Sequence, residues 1–433
     1  MEKLTIDFGK DLGAFKPVNG VTNGPGLHTG ALDPSRFFAE LDLPIVRLHD
    51  TELLSPRPFV DYCRVFPDIG RDENDPKSYR FAETDRLLEK LQTLGVQIIF
   101  RFGASATLKN VDNHAAFPCP VEKLSDIMLR IAEHYCGGWA DGYRMKITHW
   151  EIWNEPDGYE KPADNRMFMA PFAEYCRFYE VASKHLKAKF PHLKIGGYAS
   201  CGFYGVTKSR AHVQNVGRYT YLVKCFHDFI DYVKAHDCPL DFFSYHCYDD
   251  PVQSEKQNRY VRDYLDAHGF RKTEMSLNEL MPFTGLFRND SMQKVAQIAA
   301  MVAVMQNGPV DDAEIYDAKC STGIYSPFFS SETMKPRPAY WAYYLFNELR
   351  LLRHAVKVSC DIPGVYAVAA DDGFGMGGLF VVNTGTATVP VAFDLQGREV
   401  VSCRVIDETR QFDAADVPDI LPPYSVWRIM VKS

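Results

Sequence analysis

The chain has 433 residues, 46% of them hydrophobic, which is enough for one large domain plus a smaller one around a sizeable core. A formal net charge of -8 weighs against a surface built for nucleic acid or acidic membrane, and the most basic stretch, Lys184 to Lys194, reads as a solvated helix end and turn. No apolar run reaches the ~18 residues of a membrane span, the first residues lack the charged-then-apolar order of a secretory leader, and eleven scattered cysteines without a C-x-x-C pair fit a reducing compartment, so a cytoplasmic protein is expected.

Along the chain, short β-rich runs alternate with amphipathic helical stretches. Strands are predicted over 18–22, 44–48, 96–102, 147–153, 193–198, 241–248, 274–280 and 313–318. Helical patterns between them, such as 81–95 and 121–138, stop at a glycine suited to a left-handed C-cap. Eight strand–helix repeats predict an α/β fold, a (β/α)8 TIM barrel over 14–352. After an aromatic-rich helix at 339–352 the texture changes to short alternating runs separated by Gly, Asp, Asn and Pro. This predicts a C-terminal antiparallel β-sandwich domain over 353–433, with residues 1–13 as an added strand.

A parallel barrel works at the C-terminal ends of its strands, so the polar residues there are the candidates. They are Arg47, His49 and Asp50 on strand two, Arg101 on strand three, and Asn154 and Glu155 on strand four. His246 and Tyr248 follow on strand six, Asn278 and Glu279 on strand seven, and Tyr316 and Asp317 on strand eight. Two strands finish in an Asn-Glu step, and strands four and seven face each other across an eight-stranded barrel. Glu155 and Glu279 are therefore expected to meet over one cleft, about 5 Å apart, as glycosidic bond cleavage requires. Glu274, on the same strand as Glu279, begins it and belongs at the opposite end. No H-E-x-x-H, H-x-x-E-H or D-x-D run is present, so no catalytic metal is expected. Arg47 has a structural alternative as a buried ion-pair partner, and either histidine has one as a core residue. Trp150 and Trp153 alternate along their strand, so one is expected to pack on helices and the other to approach the cavity, while the Trp341 stripe reads as core packing.

The segments "IVRLHD", "WEIWNEPD", "KIGGYA", "DFFSYHCY", "LNEL" and "KPRPAYWAYYLFNEL", in this order, resemble glycoside hydrolase family 39 and more broadly the clan of retaining (β/α)8 glycosidases. The resemblance spans essentially the whole chain. It implies Glu155 as general acid/base, Glu279 as nucleophile and Asn154 as the holder of the sugar 2-hydroxyl. It further implies that Arg47 orients the nucleophile and that His49, His246 and Tyr248 line the first sugar site; Tyr316, from its place at a strand end, is expected as a further sugar contact, with an ordinary strand-end role as the alternative. No cofactor is implied. The implied activity is an exo-acting β-glycosidase on short oligosaccharides, β-xylosidase first, with glucosides, galactosides, arabinosides and iduronides as alternatives, and homo-oligomers occur among relatives. A non-catalytic sugar-binding barrel is the other reading. The chain departs from the family where Leu280 follows Glu279 and where "YDAKCSTGIYSPFF" follows strand eight, so the sugar stays open.

Overall fold

The computed structural model describes residues 2–27, 33–50, 60–105, 120–208, 215–282, 288–321 and 323–433. Eight parallel strands close into a barrel: β2 (Gly20–Thr22), β3 (Ile45–Leu48), β4 (Gln97–Phe102), β5 (His149–Ile152), β6 (Lys194–Ser200), β7 (Phe242–Cys247), β8 (Glu274–Leu280) and β9 (Asp312–Ile315). Closure is made where Val21 of β2 lies opposite Val46 on one side and Ile315 on the other. These strands are buried along nearly their whole length, as expected when helices cover one face and the barrel interior fills the other. The helix Ala82–Thr93 shows how the outer layer forms: Leu87, Leu88 and Leu91 recur on one face and are buried, while Gly95 adopts φ +69° just beyond its end.

The remaining strands form one curled, mostly antiparallel nine-stranded sheet. They are β1 (Glu2–Ala14), β10 (His354–Ser359), β11 (Val365–Asp371), β12 (Met376–Asn383), β13 (Val389–Asp394), β14 (Glu399–Ile406), β15 (Gln411–Ala414), β16 (Ile420–Leu421) and β17 (Ser425–Lys432). Their order is β15-β14-β17-β12-β11-β10-β1-β13-β16, so the N-terminal strand lies inside a sheet otherwise built from the end of the chain. The curl encloses its own apolar cluster, including Leu4, Ile6, Val381, Trp427 and Ile429. The helix Pro338–Arg350 joins the two layers: Tyr340 and Tyr343 are buried in the barrel core, and Trp341 stacks on Phe412 of β15 at 4.7 Å. Trp341 thus packs a seam between the layers.

The expectation for Trp150 and Trp153 needs correction. Both are fully buried in packing. Trp150 stacks on Phe100 at 4.7 Å; Trp153 packs against Phe168 and Phe178 and donates its indole N–H to the Met167 carbonyl. Strict alternation fails because Trp153 has φ +74°, which turns the chain as it leaves β5. Gly103 beside it, at φ +143°, leaves no room for a Cβ, which would meet the indole at 2.9 Å. Nine described cysteines, Cys136 and those from Cys176 onward, are free thiols, and among the described residues no helix is long and apolar enough to cross a membrane.

Candidate active site

At the C-terminal ends of the barrel strands a connected group of polar side chains surrounds Glu155 and Glu279. Local backbone irregularity aims them. Side chains alternate along a regular strand, so neighbours such as Asn278 and Glu279 would face opposite ways. The pairing of β7 with β8 slips between Tyr245 opposite Leu277 and His246 opposite Glu279, a bulge that takes up Asn278. Asn278 then donates to Glu151 in the barrel interior, and Glu279 accepts from Arg47 in the same network. After β5, Glu155 stands at φ +48°, a conformation that costs a non-glycine residue energy and persists only where the surroundings hold it. Here its N–H is held by the Ala199 carbonyl.

Arg47 is the hub. Fully buried, it donates from Nε to Glu151 Oε2 at 2.7 Å, from Nη1 to Glu279 Oε1 at 2.8 Å, and from Nη2 to Asn154 Oδ1 at 2.6 Å. Arg47 is thus a buried ion-pair partner of Glu151 and at the same time bonds one oxygen of Glu279. Glu151 had only one signal in the sequence, an acid inside an apolar strand. Asn154, fixed by its oxygen, keeps its Nδ2 buried with no hydrogen-bond partner among the described residues.

Tyr248 donates its hydroxyl to Glu279 Oε2 at 2.6 Å. His246 lies between the acids, with Nδ1 2.9 Å from Glu155 Oε1 and 3.5 Å from Glu279 Oε2, while its buried Nε2 has no partner among the described residues. His49 Nε2 is 4.0 Å from Glu279 Oε1. Arg101 donates to its Nδ1 at 3.1 Å, which places the proton of the neutral ring on Nε2, toward Glu279. Burial, and then the charges of Arg101 and Arg47, drive His49 well below the usual histidine range, so it is neutral. Arg101 is itself held by Asp61 at 2.6 Å. Tyr316 points elsewhere: its hydroxyl donates to Asp50 Oδ2 at 3.0 Å, and its ring lies 6.3 Å from that of Tyr248. Sequence reasoning did not find Lys319, which bonds Asp50 at 2.8 Å, or Tyr325, whose ring is 5.7 Å from Tyr248; both lie in the segment after β9.

Ligand atoms of Glu155, His246 and Glu279 all lie within 4.8 Å of one another. A divalent cation there would lie beside the Arg47 guanidinium, 2.8 Å from Glu279, and that neighbouring positive charge disfavours it, so the group suits proton sharing better than an ion. Burial lifts the Glu279 carboxyl above its ordinary range against the opposing charges of His246 and Arg47, with the charge of Glu155 adding to the rise. Burial acts the same way on Glu155, but the hydrogen bond and charge of His246 outweigh it and hold that carboxyl low. His246 is raised in turn, burial notwithstanding, by the charges of Glu279 and Glu155. These opposed shifts favour an imidazolium against Glu155. Glu274 lies at the other end of β8, bonded to Lys194 at 2.5 and 2.7 Å.

The model of glycosyl hydrolases family 39 matches residues 60–284, more than half of the chain. A β-xylosidase of Geobacillus stearothermophilus is 22% identical over 219 residues, a match spanning 48% of this chain and 38% of that protein. Among solved structures, a glucosidase from Croceicoccus marinus superimposes with a TM-score of 0.79 at 20% identity, covering 100% of this chain and 99% of that one. A monomeric β-xylosidase from Caulobacter crescentus does so with a TM-score of 0.69 at 15% identity, covering 100% and 99%. The structural likenesses bear on the fold, and the extent of the family match decides the rest: the chain belongs to glycosyl hydrolase family 39.

Proposed function

We propose that the chain is a retaining, exo-acting β-glycosidase that works by double displacement, with Glu279 as nucleophile and Glu155 as general acid/base. The observation that carries this reading is the spacing of the two carboxylates, whose facing oxygens lie within 4.8 Å. Retaining enzymes hold the pair about 5 to 5.5 Å apart, and inverting enzymes leave room for a water between them. Arg47 and Tyr248 aim Glu279 at the anomeric carbon and favour its ionised form.

The proton for the leaving oxygen starts on His246 Nδ1, 2.9 Å from Glu155. A bound sugar excludes water, and in the drier site an uncharged carboxylic acid and imidazole are favoured over an ion pair. The proton then crosses to Glu155 and on to the departing oxygen as Glu279 forms the glycosyl bond. In the second half Glu155 takes a proton from the incoming water, which releases the sugar. The Asn154 Nδ2, buried with no partner among the described residues, supports a donor role toward the 2-hydroxyl, a contact that strengthens as positive charge builds on the ring.

β-Xylosides are the first substrates to try, since similar chains carry that name. We read the protein as cytoplasmic, needing no cofactor and acting on imported fragments. The test is proton NMR of the first-formed sugar during hydrolysis of a 4-nitrophenyl β-xyloside. The β-anomer should appear first; first appearance of the α-anomer would end the double-displacement reading.

A further inference from the structure

Next to the catalytic pair lies a second polar group that the reaction itself does not use. Asp50, from the end of β3, accepts from the Asn23 amide, from the Tyr316 hydroxyl at 3.0 Å and from Lys319 Nζ at 2.8 Å. Lys319 also meets Asp317 at 3.3 Å, and Asp317 accepts from Ser326 at 3.1 Å. The group is not a closed core network, because the side chains of Asp50 and Lys319 keep 24% and 18% of their surface exposed. It adjoins the reacting centre: the Tyr316 ring lies 6.3 Å from that of Tyr248, whose hydroxyl bonds Glu279 at 2.6 Å.

We propose, building on the glycosidase reading above, that Asp50, Lys319 and Tyr316 form the far wall of the glycone subsite and bind the C3 and C4 hydroxyls of a neutral pyranose. The chemistry fits hydroxyl groups, which donate and accept together. Lys319 has three N–H groups, of which two meet Asp50 and Asp317, so one is left to donate to a sugar oxygen. The Tyr316 oxygen, having donated to Asp50, keeps lone pairs that accept from a hydroxyl. A carboxylate-bearing sugar is disfavoured, because it would compete with Asp50 for a cation already matched. Burial pushes Asp317 up to about 7, against the charge of Lys319, so the group carries between no net charge and one negative charge near neutrality. A uronate would find no surplus positive charge there.

With the Asn154 amide at C2, the sugar is gripped there by one group and at C3 and C4 by the other. Tyr316 and Lys319 of this wall come from the "YDAKC" stretch after β9, and Asp50 comes from the end of β3.

The test measures kcat/KM for 4-nitrophenyl β-xyloside, its 4-deoxy analogue and the β-glucuronide, using wild type, Asp50→Asn and Lys319→Met, with melting temperatures recorded for each. On the xyloside each substitution should cost roughly 10- to 100-fold, as expected for hydrogen bonds to charged groups. On the 4-deoxy substrate, which lacks one of the hydroxyls read, the cost should shrink to about threefold, a dependence that mere unfolding would not show. Wild type should prefer the xyloside to the glucuronide. Equal losses on both xylosides, losses under threefold throughout, or preference for the glucuronide would overturn the proposal while leaving double displacement standing. If wild type cleaves nothing, the glycosidase reading fails, and saturation-transfer NMR of free xylose decides the subsite: binding that Asp50→Asn abolishes supports it, and equal binding ends it.

Discussion

The two ends of strand β8 each carry a glutamate, and their surroundings are opposite in kind. At the floor of the barrel, Glu274 is saturated: Lys194 bonds both its oxygens, and His149 reaches it at 3.4 Å while its other ring nitrogen meets Gln97 at 2.7 Å. At the mouth, around Glu279, polar atoms are left over, among them Asn154 Nδ2 and His246 Nε2. A buried donor without a partner costs about 1 to 3 kcal/mol, which folding alone has no reason to tolerate. The comparison teaches that the two glutamates of β8 differ in how completely their polar neighbours are satisfied, the contrast expected if the mouth alone meets a substrate.

The sharpest way to break this contrast is to remove one acid at a time. Glu279→Gln should lower kcat by on the order of 10⁴-fold with little change in melting temperature, and a chromogenic β-glycoside assay checks it. A variant retaining a tenth of wild-type activity would put the reactive end elsewhere. Next in size, Arg47→Met leaves Glu151 and Glu279 facing each other without their shared cation, so denaturant unfolding should show a loss of about 3 to 5 kcal/mol. An unchanged midpoint would mean that Arg47 serves the reaction alone.

The floor has its own pH signature. Burial raises Asp312 to about 6, with His149 and the Ser276 hydroxyl opposing. A carboxyl whose folded pKa is raised favours the fold fully below its unfolded value, and its contribution is lost as pH rises from about 4 to about 6. Asp312→Asn should therefore remove up to about 3 kcal/mol of pH-dependent destabilisation across that window, read from urea midpoints at pH 4, 5, 6 and 7. Identical slopes in variant and wild type would show that Asp312 does not carry it. The smallest effect belongs to Glu274→Gln: about 1 kcal/mol of stability, with kcat on a β-xyloside changed by less than about twofold. A large fall in activity there would erase the distinction between the two ends.

Much of this architecture was legible in the sequence, because strand–helix alternation and strand-end polar residues are local signals. All eight barrel strands lie where the β-rich runs are, and every candidate from Arg47 to Tyr316 stands at or just beyond a strand end. What escaped depends on geometry that no periodicity encodes. The bulge at Asn278 and the left-handed residues Trp153 and Glu155 break the alternation from which side-chain directions are read. Glu151 was hidden because its meaning depends on Arg47, about a hundred positions away. Lys319 and Tyr325 were hidden because an irregular segment returns over the mouth without a pattern of its own.

The placement of β1 bears on how the molecule is made. Thr5 lies opposite Ser359 and Leu4 opposite Phe393, so β1 finds its neighbours only after the whole barrel between them has been synthesised. At ordinary elongation rates that interval is on the order of tens of seconds, during which an apolar edge has nothing to pair with. Final closure of the sheet therefore comes after synthesis of the barrel, and a nascent chain halted before residue 354 would be a natural client for a chaperone that shields extended segments.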